Sequence, residues 1–334
     1  MHRTHTLRGL TLAVVAAGLL LPCQLQAASL HQDAVNIQEP PSAAEVFKRV
    51  TVIGASVSAG YGLEVDLKAR VTLGDFIDCM VSGEREPCLN LGSNSLFRSP
   101  IARSTAQVTE ALKHDPTLVV AVDFLFWLVY GLSSETTEAR IRRLDIGLDL
   151  LDRFKCPVVV GDIPDMSMAL KGKGPFGFPL ISPAMIPPAE ARLAINDHLQ
   201  TWANSRPRVT LAPLSQFLQT IQSGRTLAVR GNEWRPGDLA GMLQEDLLHP
   251  RPQGTLGLLI LTFDRLAPSI PDAASRITWN SQKVTARLLE RTSEERASNE
   301  AAAQRRLERK AKRDRDKHGD RRAPAPAALV TPPG

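Results

Sequence analysis

The chain has 334 residues, 43% of them hydrophobic and 22% charged, with a formal net charge of +5. That is ordinary composition for a folded domain with a sizeable core, and it excludes a fibrous or wholly disordered chain. Past the first residues no run reaches the ~18 consecutive apolar residues of a membrane span, which argues against stable membrane insertion.

Arg3 and Arg8 precede an apolar run from Leu10 to Leu21, and Gln26-Ala27-Ala28 supplies small residues for cleavage. Residues 1–27 therefore read as a secretory signal peptide, and the mature protein as secreted or periplasmic. Pro22 stands before Cys23 where a lipid-modified cysteine normally follows a small residue, so no lipid anchor is expected. Residues 28–45 are polar with Pro40 and Pro41 and read as a leader over the surface. An oxidising compartment leaves a short Cys79–Cys88 bridge open, while Cys156, before Pro157 and a valine run, reads as a buried inert thiol.

From there the chain alternates strands and helices. The apolar run ending at Ile53 predicts a strand. A helix over 70–80, a turn over 83–87 and a strand over 88–91 follow. A helix over 104–114 ends at Asp115-Pro116, and a buried strand covers 118–122. Ile141, Leu144, Leu148 and Leu151 fall along one face of a helix over 136–154, which leads into a strand over 157–160. Residues 161–188 are rich in Gly and Pro and read as a functional cover. A helix over 189–203, a strand over 209–211 and an apolar helix over 254–266 complete a body placed at 46–270. This alternation predicts a doubly wound parallel α/β sheet flanked by helices, a flavodoxin-like three-layer sandwich.

Residues 271–334 differ in character. Val284 to Lys317 is rich in Ala, Glu, Arg and Lys and predicts an exposed helix, followed by a Pro/Ala-rich end without fixed structure. Lys and Arg outnumber Asp and Glu by five between 291 and 322, which matches the net charge of the whole chain and leaves the body near neutral. Interspersed acids favour a solvated helix over a polyanion-binding arm. Weak contact with an anionic surface stays open, and nucleic acid is not an expected partner.

Chemistry enters at two places. Val50 to Gly62, VTVIGASVSAGYG, carries a strand into small residues and delivers the Ser56 hydroxyl to the end of a buried strand, where open α/β sheets bind ligands. Near the end of the body stands Glu245-Asp246-Leu247-Leu248-His249-Pro250. An Asp three residues before a His can set the imidazole's tautomer while the other ring nitrogen faces a serine. No Cys/His spacing suggests a metal site, and no cofactor is expected.

Together, and in this order, these segments resemble the SGNH or GDSL hydrolase family over roughly 50–266. Asn90-Leu91-Gly92 looks like that family's second block. The resemblance implies Ser56 as nucleophile, His249 as general base and acid, Asp246 as its orienter, and the Ser56 and Gly92 backbone N–H groups as oxyanion donors. Two departures stand out. Ala55 replaces the family's Asp before the serine. The third block, Gly-x-Asn-Asp, is replaced after strand 118–122 by Asp123-Phe124-Leu125-Phe126-Trp127, with Phe126 near the site of the oxyanion-binding Asn. Asn94 is a candidate substitute, and Asp123 a candidate acid beside the site or a strand-end cap. Phe124, Phe126, Trp127 and Tyr130 could line an acyl or sugar pocket or belong to the core. Asp162 and Asp165 stand at another strand end, and turn chemistry explains them as well.

The implied activity is hydrolysis of a carboxylic ester, of a lipid, a short acyl group or an O-acetylated sugar. A ligand-binding protein without turnover, or an acyltransferase to a polysaccharide alcohol, remain as alternatives.

Overall fold

The computed structural model describes residues 41–319, apart from Leu132 and Ala240. The expected signal peptide, most of the leader and the Pro/Ala-rich end lie outside the described residues.

Five strands form the central sheet: β1 (Val50–Val52), β2 (Leu89–Asn90), β3 (Leu118–Ala121), β4 (Val158–Gly161) and β5 (Val209–Ala212). All pairings are parallel and the order is β2-β1-β3-β4-β5. Every residue of β1, β3 and β4 is buried. A parallel strand covered on both faces has no solvent side to mark with polar residues, which is why these segments read as Val, Ala and Leu apart from the buried Thr51 and the closing Gly161.

Parallel neighbours need crossover connections, and helices supply them in two groups. Pro100–Lys113, Thr137–Asp152 and Ala189–Asn204 pack side by side, while Leu73–Met80, Pro252–Leu266 and Ser281–Arg291 pack on one another. The sheet lies between these layers. Pro252–Leu266 is buried nearly all round, as an apolar helix without a polar stripe must be.

This strand order reverses direction between β1 and β3. In open α/β sheets such a switch point opens a crevice at the carboxyl ends of the strands. Ser56 follows β1 and Asp123 follows β3, so the fold brings both to that crevice.

Several elements differ from the expectation. The helix expected over 70–80 begins at Leu73, where Thr72 and Asp75 form a reciprocal capping box. The helix expected from 104 begins at Pro100, because proline is well suited to the first helical position. A helix Leu214–Gln222 and an antiparallel hairpin, β6 (Leu227–Val229) with β7 (Asn232–Trp234), stand where no element was expected. Ala43, in the expected leader, and Val46, at the start of the body, are buried in a short capped helix.

The packed body also runs past residue 270. Ser281–Arg291 buries Val284 and Leu288. Arg287 Nη1 donates to the Cys79 carbonyl at 3.0 Å, and Arg291 Nη2 lies 3.0 Å from Asp78 Oδ2. Thr292 then separates this helix from Ser293–Gly319, so the single helix expected over 284–317 is two. Cys79, Cys88 and Cys156 are unpaired, and the Cys88 thiol accepts from Arg85 Nη2 at 2.9 Å. None of the helices among the described residues is long and apolar enough to cross a membrane.

Candidate active site

The turn after β1 is built around one buried carboxylate. Asp123 Oδ1 accepts from the Ala55 N–H at 3.0 Å and from the Ser58 hydroxyl at 2.5 Å. Its Oδ2 accepts from the N–H groups of Val57 at 2.8 Å and Ser58 at 3.3 Å. Burial pushes this carboxyl up from its ordinary range, and the four donors oppose that rise. The N–H groups flanking Ser56 are thus tied down, and that of Ser56 has no acceptor among the described residues.

So close an approach requires Gly54. Its φ is +150°, and an added Cβ would fall 2.1 Å from Asp123 Oδ1 and 2.5 Å from Ser58 Oγ. Gln107, buried on the helix Pro100–Lys113, holds the same corner. Its amide pairs with both backbone groups of Gly54 and donates to the Leu91 carbonyl at 2.7 Å.

The second half of the site comes from 244–250. Leu247 sits at φ +53°, an uncommon conformation for a branched side chain. The turn lets Asp246 Oδ1 accept from the backbone of Leu248 at 2.9 Å and His249 at 3.0 Å. Asp246 Oδ2 lies 2.8 Å from His249 Nδ1. Burial pushes the Asp246 carboxyl up, but the His249 hydrogen bond, the attraction of that ring when it is protonated and the two backbone donors together hold it below the usual carboxylate range. An ionised carboxylate only accepts, so Nδ1 carries the ring proton and Nε2 of the neutral ring is an acceptor. Ser56 Oγ lies 2.8 Å from that Nε2, positioned to donate to it.

Two further contacts hold the imidazole segment. The Tyr61 ring lies against that of His249, centroids 4.4 Å apart. Gln244 Nε2 donates to the carbonyls of Tyr61 at 2.7 Å and Pro250 at 3.0 Å, joining the serine and histidine segments.

Ser56 and His249 open onto a narrow cavity of about 60 Å³. Its walls are mostly apolar, with Phe126, Trp127, Met166, Leu214, Leu248 and Leu258 among them. The buried Tyr130 hydroxyl shapes one wall: it donates to the Pro164 carbonyl at 2.7 Å and accepts from the Met166 N–H at 2.9 Å. Phe124 is in the core.

The residues expected to hold an oxyanion lie as follows. The Gly92 N–H donates to Asn90 Oδ1 at 2.9 Å, and an added Cβ at Gly92 would fall 2.7 Å from the Ala59 nitrogen, so this glycine packs against the back of the serine turn. Asn94 is exposed and is not among the residues lining the cavity. Phe126 lines the cavity and stacks on Tyr130, centroids 4.1 Å apart. Asp162 accepts from the Ser215 N–H at 2.7 Å, at the start of helix Leu214–Gln222, and Asp165 pairs with Arg192 at 2.9 Å. Turn and cap chemistry accounts for both.

Sequence reasoning did not single out Gln107, Ser58, Tyr61, Gln244 or Met166. A Gln on a helix carries no motif. Ser58 and Tyr61 do lie within the strand-end stretch that drew attention to Ser56.

No family model matches the chain, and no curated relative does. Among solved structures it is similar to that of TesA, at 17% identity and a TM-score of 0.40, over 67% of this chain and 100% of that one. A putative acylhydrolase from Bacteroides fragilis NCTC 9343 is similar at 14% identity and a TM-score of 0.40, over 71% of this chain and 99% of that one. A GDSL-like lipase from Bacteroides thetaiotaomicron VPI-5482 is similar at 12% identity and a TM-score of 0.40, over 69% and 91%.

Proposed function

We propose that this protein is a serine ester hydrolase that works through an acyl-enzyme on Ser56. The observation that carries the reading is the continuous chain from Asp246 Oδ2 through the His249 ring to Ser56 Oγ, with both links 2.8 Å long. Each member needs its neighbour: the carboxylate fixes the tautomer, the tautomer makes Nε2 a base, and the base faces the hydroxyl.

In the reaction, Ser56 Oγ attacks the ester carbonyl carbon as its proton passes to His249 Nε2. The tetrahedral intermediate collapses, the bond to the alkoxy oxygen breaks, and Nε2 returns the proton to the leaving alcohol. Water then attacks the acyl-enzyme by the same route and releases the acid. Throughout, Asp246 stabilises the imidazolium.

The unbonded Ser56 N–H is suited to the developing oxyanion. The Gly92 N–H is engaged by Asn90, and Phe126 offers no donor. Missing one preorganised donor costs ~10²–10³ in rate, so a slow enzyme is expected. The narrow apolar cavity suits a short acyl chain, an acetyl to butyryl group, better than a fatty acyl chain.

The same sparse oxyanion site supports a second reading, a binding protein that keeps the triad geometry without turnover. Hydrolysis of p-nitrophenyl esters of increasing acyl length separates the two. The hydrolase reading expects turnover of the shortest esters that disappears in Ser56→Ala. Equal rates in the wild type and that variant favour the binding protein.

A further inference from the structure

Phe176 and Phe178 are 79% and 61% exposed, whereas most other phenylalanines of the body are buried. Their rings stack on each other, centroids 5.9 Å apart. The turn that carries them is closed by its own backbone: Gly174 N–H donates to the Phe178 carbonyl and Gly177 N–H to the Gly174 carbonyl, each at 2.9 Å. Gly177 sits at φ +83°, which this turn requires of a glycine. The apolar tip is therefore a preformed surface feature.

Its base is fixed to the candidate site. Gly172 is buried against the segment bearing Asp246, where an added Cβ would fall 1.9 Å from the Asp246 carbonyl oxygen. The Lys173 N–H donates to the Glu245 carbonyl at 2.8 Å. Val65, 66% exposed, lines the same cleft as Gly174 and Pro175.

Charge is distributed to match. Between 166 and 189 the only charged residues are Lys171 and Lys173, both exposed. Carboxylates enter in the adjoining cleft, which Lys173 itself lines, at Glu64, Asp66, Glu245 and the Asp246 of the candidate site; there Asp66 is paired with Arg251 at 3.0 Å and Asp246 with His249 at 2.8 Å. From 172 to 181 lysine is the only side chain able to hydrogen-bond, the rest being Gly, Pro, Phe, Leu and Ile. A protein interface ordinarily uses directional polar contacts around its apolar centre. An aromatic tip with flexible cations at its base fits a lipid surface, where rings enter the acyl boundary and ammonium groups stay among the headgroups.

We infer that the turn 171–178 docks the protein on an anionic phospholipid surface, with Phe176 and Phe178 entering the acyl layer and Lys171 and Lys173 on lipid phosphates. The contact is peripheral, and it sets the candidate site beside the bilayer.

The test is co-sedimentation of the full chain with vesicles of phosphatidylcholine alone or with about a third phosphatidylglycerol, the latter giving the negative surface that attracts lysines. Binding to the anionic vesicles is expected. A Phe176→Ser/Phe178→Ser variant, whose exposed positions leave the thermal unfolding midpoint unchanged, should bind at least ~10-fold more weakly. Lys171→Glu/Lys173→Glu should weaken binding by on the order of tenfold and remove the preference for phosphatidylglycerol. A Phe178→Trp variant should show emission quenched by brominated acyl chains. Failure of the wild type to bind, or binding by the phenylalanine double variant equal to wild type, which would move the contact to the basic helix Ser293–Gly319, overturns the inference.

Discussion

Asp123 Oδ1 stands 2.5 Å from Ser58 Oγ, and the same carboxylate accepts from three backbone N–H groups around Ser56. One side chain from the end of β3 thus shapes the turn at the end of β1. Asp123→Asn keeps the volume but turns an amide NH₂ toward at least one backbone donor. Each buried donor left unsatisfied costs ~1–3 kcal/mol. A fall of several degrees in Tm together with a lower kcat is expected, measured by thermal unfolding and ester hydrolysis. Ser58→Ala should be milder, because the carboxylate keeps its three N–H donors.

Asp246→Asn should lower kcat by ~10³–10⁴, because the amide no longer selects the Nδ1–H tautomer. Stability follows from the lowered Asp246 pKa. A carboxyl held below its unfolded value contributes stability above the ordinary carboxylate range, and that contribution is lost as pH falls through the folded pKa. Asp123, raised by burial, has the opposite sign: protonation on acidification relieves its cost. Urea unfolding of the wild type and Asp246→Asn at falling pH checks this. The stability difference between them should shrink below the carboxylate range.

The cavity wall sets acyl size. Phe126→Ala removes a ring from the lining, so the ratio of kcat/KM for octanoyl over acetyl p-nitrophenyl esters should rise by on the order of tenfold. That is the scale of a few methylenes gained in an apolar pocket. An unchanged ratio would place the acyl chain elsewhere.

The strands were legible because a parallel strand buried on both faces leaves an unbroken apolar run, as Leu118–Ala121 and Val158–Gly161 do. The spacing of Asp246 and His249 was legible because a single turn joins them. What was not legible depends on long-range contact. Gln107 acts across the helix–sheet interface on Gly54, and the helix Ser281–Arg291 packs through two buried apolar residues, Val284 and Leu288. Such sparse anchors look like a solvated helix in sequence. The hairpin at 227–234 is too short to show alternation. Asp123 was visible as a strand-end acid, but its role under the serine turn depends on which strand lies beside β1.

The three described thiols should be unreactive in the native protein. Burial raises Cys79 and Cys88 above the ordinary thiol range and pushes Cys156 up to about 11, so little thiolate is present in mildly alkaline buffer. Alkylation followed by peptide mass spectrometry should find these cysteines unmodified when native and all labelled in guanidinium without reductant. A Cys79–Cys88 peptide linked by a disulfide would contradict the unpaired thiols.

The proposed chemistry rests on the activation of Ser56 by His249. Its most direct test is intact-mass and peptide mapping after reaction with a fluorophosphonate, comparing the wild type with Ser56→Ala and His249→Ala. One adduct is expected, mapped to Ser56, that is lost in both variants. A folded wild type that forms no adduct, or one whose adduct survives Ser56→Ala, would contradict it.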